Sequence, residues 1–207
     1  MTRSLDFASG RLTAESIYLG DGFQLLPNIG TGNKGIQMHS GVFNDYHETD
    51  NDMRMYNNNQ LAMIYGDDGI VRKPNHPVFS ADGAPVYSAG ATMVFGNAKI
   101  NQGSNYNAAS GVFTAPVTGK YYFEVYCLVN MGAGSGAYGM LYFGINGSSH
   151  NPVLHSNTSY TRAYEPLSFA DVVSLAEGDT LYANLGLYNG ATSFGPPYNS
   201  FKGFLIG

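Results

Sequence analysis

"SGVFTAPVTGKYYFEVYCLV", residues 110–129, reads as a turn, a short extended run stopped by a proline, a second turn at Thr118-Gly119, and a long strand. Of the nine residues from Tyr121 to Val129, eight are aromatic, aliphatic or cysteine, so neither face of the strand is conventionally polar. Successive strand side chains point to opposite faces. Tyr121, Phe123, Val125, Cys127 and Val129 therefore share one face, which is expected to be core, and Tyr122, Glu124, Tyr126 and Leu128 share the other. A tyrosine buries a large apolar ring yet keeps a hydroxyl that tolerates water. A row of them outside the core marks a surface for another protein chain to cover.

The pattern recurs downstream. Gly139–Ile145 ends at Asn146-Gly147, a two-residue hairpin signal, with Leu141, Phe143 and Ile145 expected inside. Leu181, Ala183, Leu185 and Leu187 share one side of a later strand, while Tyr182, Asn184 and Tyr188 share the other. Tyr122, Tyr126, Tyr182 and Tyr188 are the candidate subunit-packing residues.

Composition agrees with a chain made of strands and tight turns. Charged residues are 12%, while 27 glycines, 16 tyrosines and 12 phenylalanines supply turn and strand formers. No stretch of a dozen residues holds a 3.6-residue apolar period, and the chain reads as all-β. The net charge of -5, with Arg72-Lys73 the lone basic pair, argues against nucleic acid and against an anionic membrane surface as partners. "MTRSLDFASGRLTAES", residues 1–16, has no apolar core of the kind a signal peptide needs, and no segment approaches the roughly twenty apolar residues of a membrane span. The expectation is a chain neither exported by the general route nor inserted in a membrane. Cys127 is the single cysteine, so no intrachain disulfide forms, and its alternating apolar strand makes it a small buried hydrophobe.

The texture changes near residue 75. Before it lie short strand-like runs, "SIYLGDGFQLL" (16–26), "KGIQMHSGVF" (34–43) and "DMRMYNNNQLAMIYGDDGIVRKP" (52–74), with hairpin signals at Asp21-Gly22 and Asp68-Gly69. Each run is too short and too polar on its second face to build a core alone, so burial is expected to need copies from other chains. The expected organisation is an anchor at 1–20, a β-rich shaft at 21–75 and a globular head at 76–207. A flexible tail is the alternative for the first 75 residues.

The head carries a run of spaced motifs. "HPVFSA" (76–81) opens it, and "FGNAKINQGSNYNAASGVFTAPVTGKYYF" (95–123) contains Asn101, Tyr106, Ser110-Gly111, Phe113, Ala115-Pro116, Gly119, Tyr121 and Phe123. "LAEGD" (175–179) and the closing "FKGFLIG" (201–207) follow in order. Residues 76–207 resemble the globular head of the complement C1q and tumour necrosis factor superfamily. The resemblance implies a ten-strand jelly roll packed as a homotrimer, binding through surface loops and performing no catalysis. Secreted members carry a Gly-X-Y collagen stalk and a signal peptide, both missing from these 207 residues. A β-rich stalk before such a head resembles a phage (virion) fibre or spike protein.

Chemical motifs are sparse. His39, His47, His76, His150 and His155 show no metal-ligand spacing on one element. "DYHETDND", Asp45 to Asp52, offers alternating acidic oxygens that suit a calcium ion, but lacks the glycine and terminal glutamate of an EF-hand loop, and a solvated acidic loop is the plainer reading. No nucleophile elbow, phosphate loop or catalytic carboxylate pair is recognisable, so no catalytic residue and no cofactor is assigned. Asn146-Gly-Ser and Asn157-Thr-Ser match glycosylation sequons and mark surface turns.

If the first and last head strands run antiparallel, both termini lie at one end. The other end then carries residues 130–137, 156–166 and 189–200. Tyr160, Arg162, Tyr164, Phe194 and Tyr198, set among small polar residues, are the candidate receptor-binding residues, a mixture that suits stacking and adaptable hydrogen bonding. The sequence thus predicts a homotrimeric virion fibre. Its N-terminus docks to other virion proteins and its head binds a host surface glycan or protein, after assembly in the host cytoplasm. The alternatives are a capsid-decoration or adaptor fibre without receptor binding, and a non-viral C1q-like binding module.

Overall fold

The computed structural model describes residues 17–18, 24–26, 34–39, 42–47, 50–131, 136–156 and 164–207, with side chains described at 44, 50–131, 136–150 and 164–207. The chain divides into two compact units, Met1–Asn75 and His76–Gly207. The hairpin signal at Asp21-Gly22 lies outside the described residues.

In the first unit, β1 (Ile17–Tyr18), β2 (Gln24–Leu26), β3 (Lys34–His39), β4 (Val42–His47), β5 (Asp52–Asn57), β6 (Gln60–Tyr65) and β7 (Val71–Arg72) form one antiparallel sheet whose spatial order is the sequence order. Short turns explain that meander. Asn58 and Asn59 both take positive φ (49° and 58°) between β5 and β6, as a two-residue primed turn requires. At the β6–β7 turn Gly69 has φ +75°, and the Asp68 carboxylate accepts the Ile70 amide at 2.8 Å and pairs with Arg72. The Ile70 amide and then the Arg72 guanidinium hold the Asp68 carboxyl below its ordinary range. In register, Met55 opposes Met63, while Met53, Tyr65 and Val71 stand opposite one another in turn. No residue from 50 to 75 is buried.

The second unit is a sandwich. Its strands are β8 (Val78–Asp82), β9 (Ala91–Thr92), β10 (Asn97–Gln102), β11 (Tyr106–Asn107), β12 (Val112–Thr114), β13 (Gly119–Asn130), β14 (Tyr138–Ile145), β15 (Ser148–Ser156), β16 (Glu165–Leu175), β17 (Thr180–Tyr188), β18 (Thr192–Ser193) and β19 (Asn199–Leu205). One sheet runs β10-β8-β19-β13-β16 with β18 beside β13, and the other β11-β12-β17-β14-β15 with β9 beside β17. The two main paths hold ten strands, and β9 and β18 are two-residue additions. First strand pairs with last: Phe79 opposes Gly203 across β8 and β19. The all-β class read from the sequence holds, and the head is a jelly-roll sandwich.

Between the sheets lies an aromatic core. Phe79 stacks on Tyr106 with centroids 4.5 Å apart and meets Phe201 edge-on at 4.9 Å; Phe113, Tyr121, Phe123 and Phe143 complete the cluster. Edge and offset contacts suit the ring quadrupoles, each about 0.5–1.5 kcal/mol beyond area burial. Buried hydroxyls are satisfied: Tyr106 donates to the Phe95 carbonyl at 3.0 Å and Tyr121 to the Val117 carbonyl at 2.7 Å. Burial pushes the Tyr106 phenol up to about 12. Gly203 is glycine because a Cβ there would lie 2.5 Å from the Phe123 ring and 2.7 Å from that of Phe79.

Strand β13 alternates as its sequence pattern predicts. Tyr121, Phe123, Val125, Cys127 and Val129 are each 0% exposed, while Tyr122, Glu124, Tyr126 and Leu128 are half-buried on the outside. Leu141, Phe143, Leu181, Ala183, Leu185 and Leu187 are buried as expected, and Ile145 packs part-buried against the same core. Burial pushes the Cys127 thiol up to about 12 and leaves it inert at neutral pH. At the β14–β15 turn, Asn146 (φ 48°) and Gly147 (φ 84°) form the expected primed hairpin.

Candidate binding site

Strand register decides what can meet at the ends of the sandwich. The C-terminal end of β13 lies beside the start of β16 (Val129 opposite Glu165), the start of β19 (Cys127 opposite Asn199) and β18 (Val129 opposite Ser193). On the other sheet the start of β14 lies beside the end of β15 (Tyr138 opposite Ser156) and the end of β17 (Tyr138 opposite Tyr188). The strand ends that flank 130–137, 156–166 and 189–200 therefore lie at one end. β8 begins at the other, since Val78 opposes Phe204 near the end of β19.

Three of the five candidate receptor-binding residues come together there. Tyr164 and Phe194 have centroids 5.3 Å apart and Phe194 and Tyr198 are 5.9 Å apart, although 34 positions separate the first from the last. Tyr164 is 59% exposed and Tyr198 48%, so the pair presents ring area to solvent instead of sealing the core. Tyr160 and Arg162 lie outside the described residues.

A buried polar scaffold holds this end, and no local sequence signal marks it. Asn199 is 2% exposed. Its Oδ1 accepts the amides of Gly83 (3.1 Å) and Ala84 (2.9 Å), and its Nδ2 donates to the carbonyls of Ala84 (2.8 Å) and Phe194 (3.2 Å). One side chain thus stitches the segment after β8 to the Phe194–Tyr198 turn. Ser193, 3% exposed, accepts the Tyr87 amide on Oγ at 2.7 Å, and the Tyr87 hydroxyl accepts the Val94 amide at 2.9 Å. Nothing in the local sequence distinguishes Asn199 from the chain's other asparagines, because its partners are set by a fold-level juxtaposition more than a hundred residues away.

The opposite end has its own clasp. Asn146 donates to Asp179 at 2.8 Å and accepts the Thr180 amide at 2.8 Å, while Asp179 accepts the Ala176 amide at 2.8 Å. These donors, Asn146 first, hold the Asp179 carboxyl below its ordinary range.

The four tyrosines named for subunit packing fall on two different outer faces. Tyr122 and Tyr126 stand on β13. There Val172, Tyr122, Phe204 and Val78 form one row across four strands, with the Tyr122 and Phe204 centroids 5.3 Å apart. Val172 is 52% and Phe204 42% exposed, and Lys202 lies 3.9 Å from Glu124 in the next row. Tyr182 and Tyr188 stand on β17, outside the other sheet. The sequence could pair tyrosines with strands but not with sheets.

Among the described residues, no group of three His, Cys, Asp or Glu gathers as metal ligands. His150 Nε2 lies 3.0 Å from Asp171 Oδ2, tying edge strand β15 to edge strand β16 across the open side of the sandwich. No helix is long and apolar enough to cross a membrane among the described residues. Asp52 ends the suggested calcium loop on β5 and lies 3.7 Å from Arg54, while the side chains of 45–49 lie outside the description.

Solved structures similar to the head include murine APRIL at pH 8.5 (16% identity, TM-score 0.48, 63% of this chain and 99% of that one). The globular domain of zebrafish complement 1qA is another (20% identity, TM-score 0.41, 63% of this chain and 98% of that one). The family model of the C1q domain matches residues 78–206, from the first strand of the sandwich to the last, and the chain belongs to that family.

Proposed function

We infer that this chain is a binding module, as C1q-like domains generally are. We propose that this chain is a homotrimeric fibre component of a virion, whose head attaches to the host cell surface through the end that carries Tyr164, Phe194 and Tyr198. The observation that carries the binding reading is that aromatic trio, with Tyr164 and Tyr198 exposed about a half-buried Phe194, braced by Asn199 and set at the opposite end of the sandwich from the start of β8. The trimer is supported by the outer face of β13, where Val172, Tyr122, Phe204 and Val78 offer an apolar row that water would otherwise cover. It is supported as well by the first unit, which buries none of its residues from 50 to 75. A sheet with no fully buried residue from 50 to 75 gains little hydrophobic stabilisation until other copies cover it.

The test is adsorption. Soluble wild-type protein should compete with particles for host cells, and a Tyr164→Ala/Tyr198→Ala variant of unchanged thermal midpoint should lose that competition. An antibody to the head should mark the host-contacting tip of the particle in electron microscopy. Label spread over the capsid, with normal adsorption by the variant, would favour a decoration role. Recovery of the chain from uninfected cells in exported form would favour a non-viral binding module.

A further inference from the structure

The outer face of the second sheet has a composition unlike that of the first. Not one Asp, Glu, Lys or Arg occurs in β9, β11, β12, β14, β15 or β17, whereas the strands of the other sheet carry Asp82, Lys99, Lys120, Glu124, Asp171 and Lys202 among others. Across β14 and β17 the outward rows pair Tyr138 with Tyr188, Met140 with Gly186, Tyr142 with Asn184, and Gly144 with Tyr182. Tyr138 and Tyr188 stack at 4.3 Å and 15°. The glycines determine how the other rings lie. A Cβ on Gly144 would sit within the ring of Tyr182 and 2.8 Å from its hydroxyl, and one on Gly186 would lie 3.1 Å from the Tyr188 ring, so both phenols rest over bare backbone.

The polar groups on this face are neutral and uncommitted. Asn184 Oδ1 accepts the Thr92 hydroxyl at 3.0 Å, leaving its Nδ2 without a partner among the described residues. The hydroxyls of Tyr138, Tyr142, Tyr182 and Tyr188 likewise make no hydrogen bond there.

We infer that the outer face of β14 and β17 is a binding platform for a neutral saccharide, stacked on Tyr142 and Tyr182 and hydrogen-bonded by their hydroxyls and by Asn184. A pyranose presents polarised C–H bonds on one face and hydroxyls around its rim. The electron-rich face of a phenol attracts the former, and neutral donors and acceptors satisfy the latter. The lack of formal charge is the complement of an uncharged ligand. Anionic glycans and basic peptides find no formally charged partner on β14 and β17. A second protein chain fits less well, because the rows alternate tyrosine with glycine, asparagine and threonine, where the β13 face sets Tyr122 between Val172 and Phe204. Tyr138 and Tyr142 stand roughly 13 Å apart along the strand, room for more than one sugar ring. This face belongs to the sheet of β14 and β17, whereas Tyr164, Phe194 and Tyr198 flank β16, β18 and β19 of the other sheet, and the inference does not depend on the virion reading.

Saturation-transfer NMR and calorimetry on the full chain, with lactose, maltotriose, mannotriose and chitotriose as probes and sialyllactose as the charged control, test it. At least one neutral probe should bind. Tyr182→Ala, Tyr142→Ala and Gly144→Ala, which lifts the Tyr182 ring, should each weaken that binding about threefold to tenfold, and Asn184→Ala should weaken it as well. Tyr164→Ala/Tyr198→Ala should leave it unchanged. The thermal midpoint checks that each variant is folded. Failure of every neutral probe would overturn the inference, as would binding that survives the platform variants. Loss of self-association in those variants without loss of sugar binding would instead make the face an interface between copies.

Discussion

Along β13, Tyr121, Phe123, Val125, Cys127 and Val129 are wholly buried, whereas along β5 and β6 the equivalent alternation leaves Met53 51% and Tyr65 45% exposed. Both regions are antiparallel, turn-rich and patterned with a two-residue period. The difference lies in what covers the apolar side. The head folds a second sheet over the first and closes an aromatic core, while the first unit is a single sheet in sequence order. Strand patterning creates a hydrophobic face; only a second layer makes that face contribute stability.

The largest expected effect sharpens this contrast directly. Phe201→Ala, which removes a ring touching Phe79, Phe95, Phe123 and Phe143, should destabilise the head by about 3–5 kcal/mol in chemical unfolding. Met63→Ala in the first unit should cost far less at concentrations where the chain is dissociated, and more as copies assemble. Equal costs at high dilution would show that the sheet has a core of its own. Next comes Asn199→Ala, which strands the amides of Gly83 and Ala84 and the carbonyl of Ala84. A loss of about 1–3 kcal/mol is expected, together with faster amide exchange at 83–84 and 194–198.

Much of the head was legible because its signals are local. Alternation placed the core residues of β13, β14 and β17, Asn146-Gly147 announced a primed turn, and the ordered motifs from "HPVFSA" to "FKGFLIG" pointed to the C1q domain that matches 78–206. What the sequence could not carry was the partition of strands between sheets, since it depends on pairings such as Phe79 with Gly203 over more than a hundred residues. Hence Tyr122 and Tyr182 were grouped together although they stand on different faces. Asn199 was missed for the same reason. Gly144 and Gly186 carry no local signal of their own, and only the cross-strand register shows them lying beneath tyrosine rings.

Smaller effects probe the sealed and exposed groups of the head. Cys127, raised to about 12 and fully buried, should resist iodoacetamide at pH 8 in the native protein and react on unfolding; rapid native labelling would mean that the sandwich opens. Asp179 should give the smallest effect. Its folded carboxyl titrates below the ordinary value, so the unfolded chain takes up the proton first. Its contribution is full above the usual Asp value of about 3.9 and is lost as pH falls through the lower folded value. Asp179→Asn should flatten that acid limb by lowering the neutral-pH plateau, with little change at the acid end of the stability curve.

Assembly is the claim on which the two-region contrast converges, and the mass of the full chain in solution tests it most directly. Sedimentation equilibrium at micromolar concentration should give three times the 22.2 kDa chain mass, and a Phe204→Glu/Val172→Glu variant should shift the population toward the single chain. A stable lone chain of 22.2 kDa with intact β structure in both units would contradict the account.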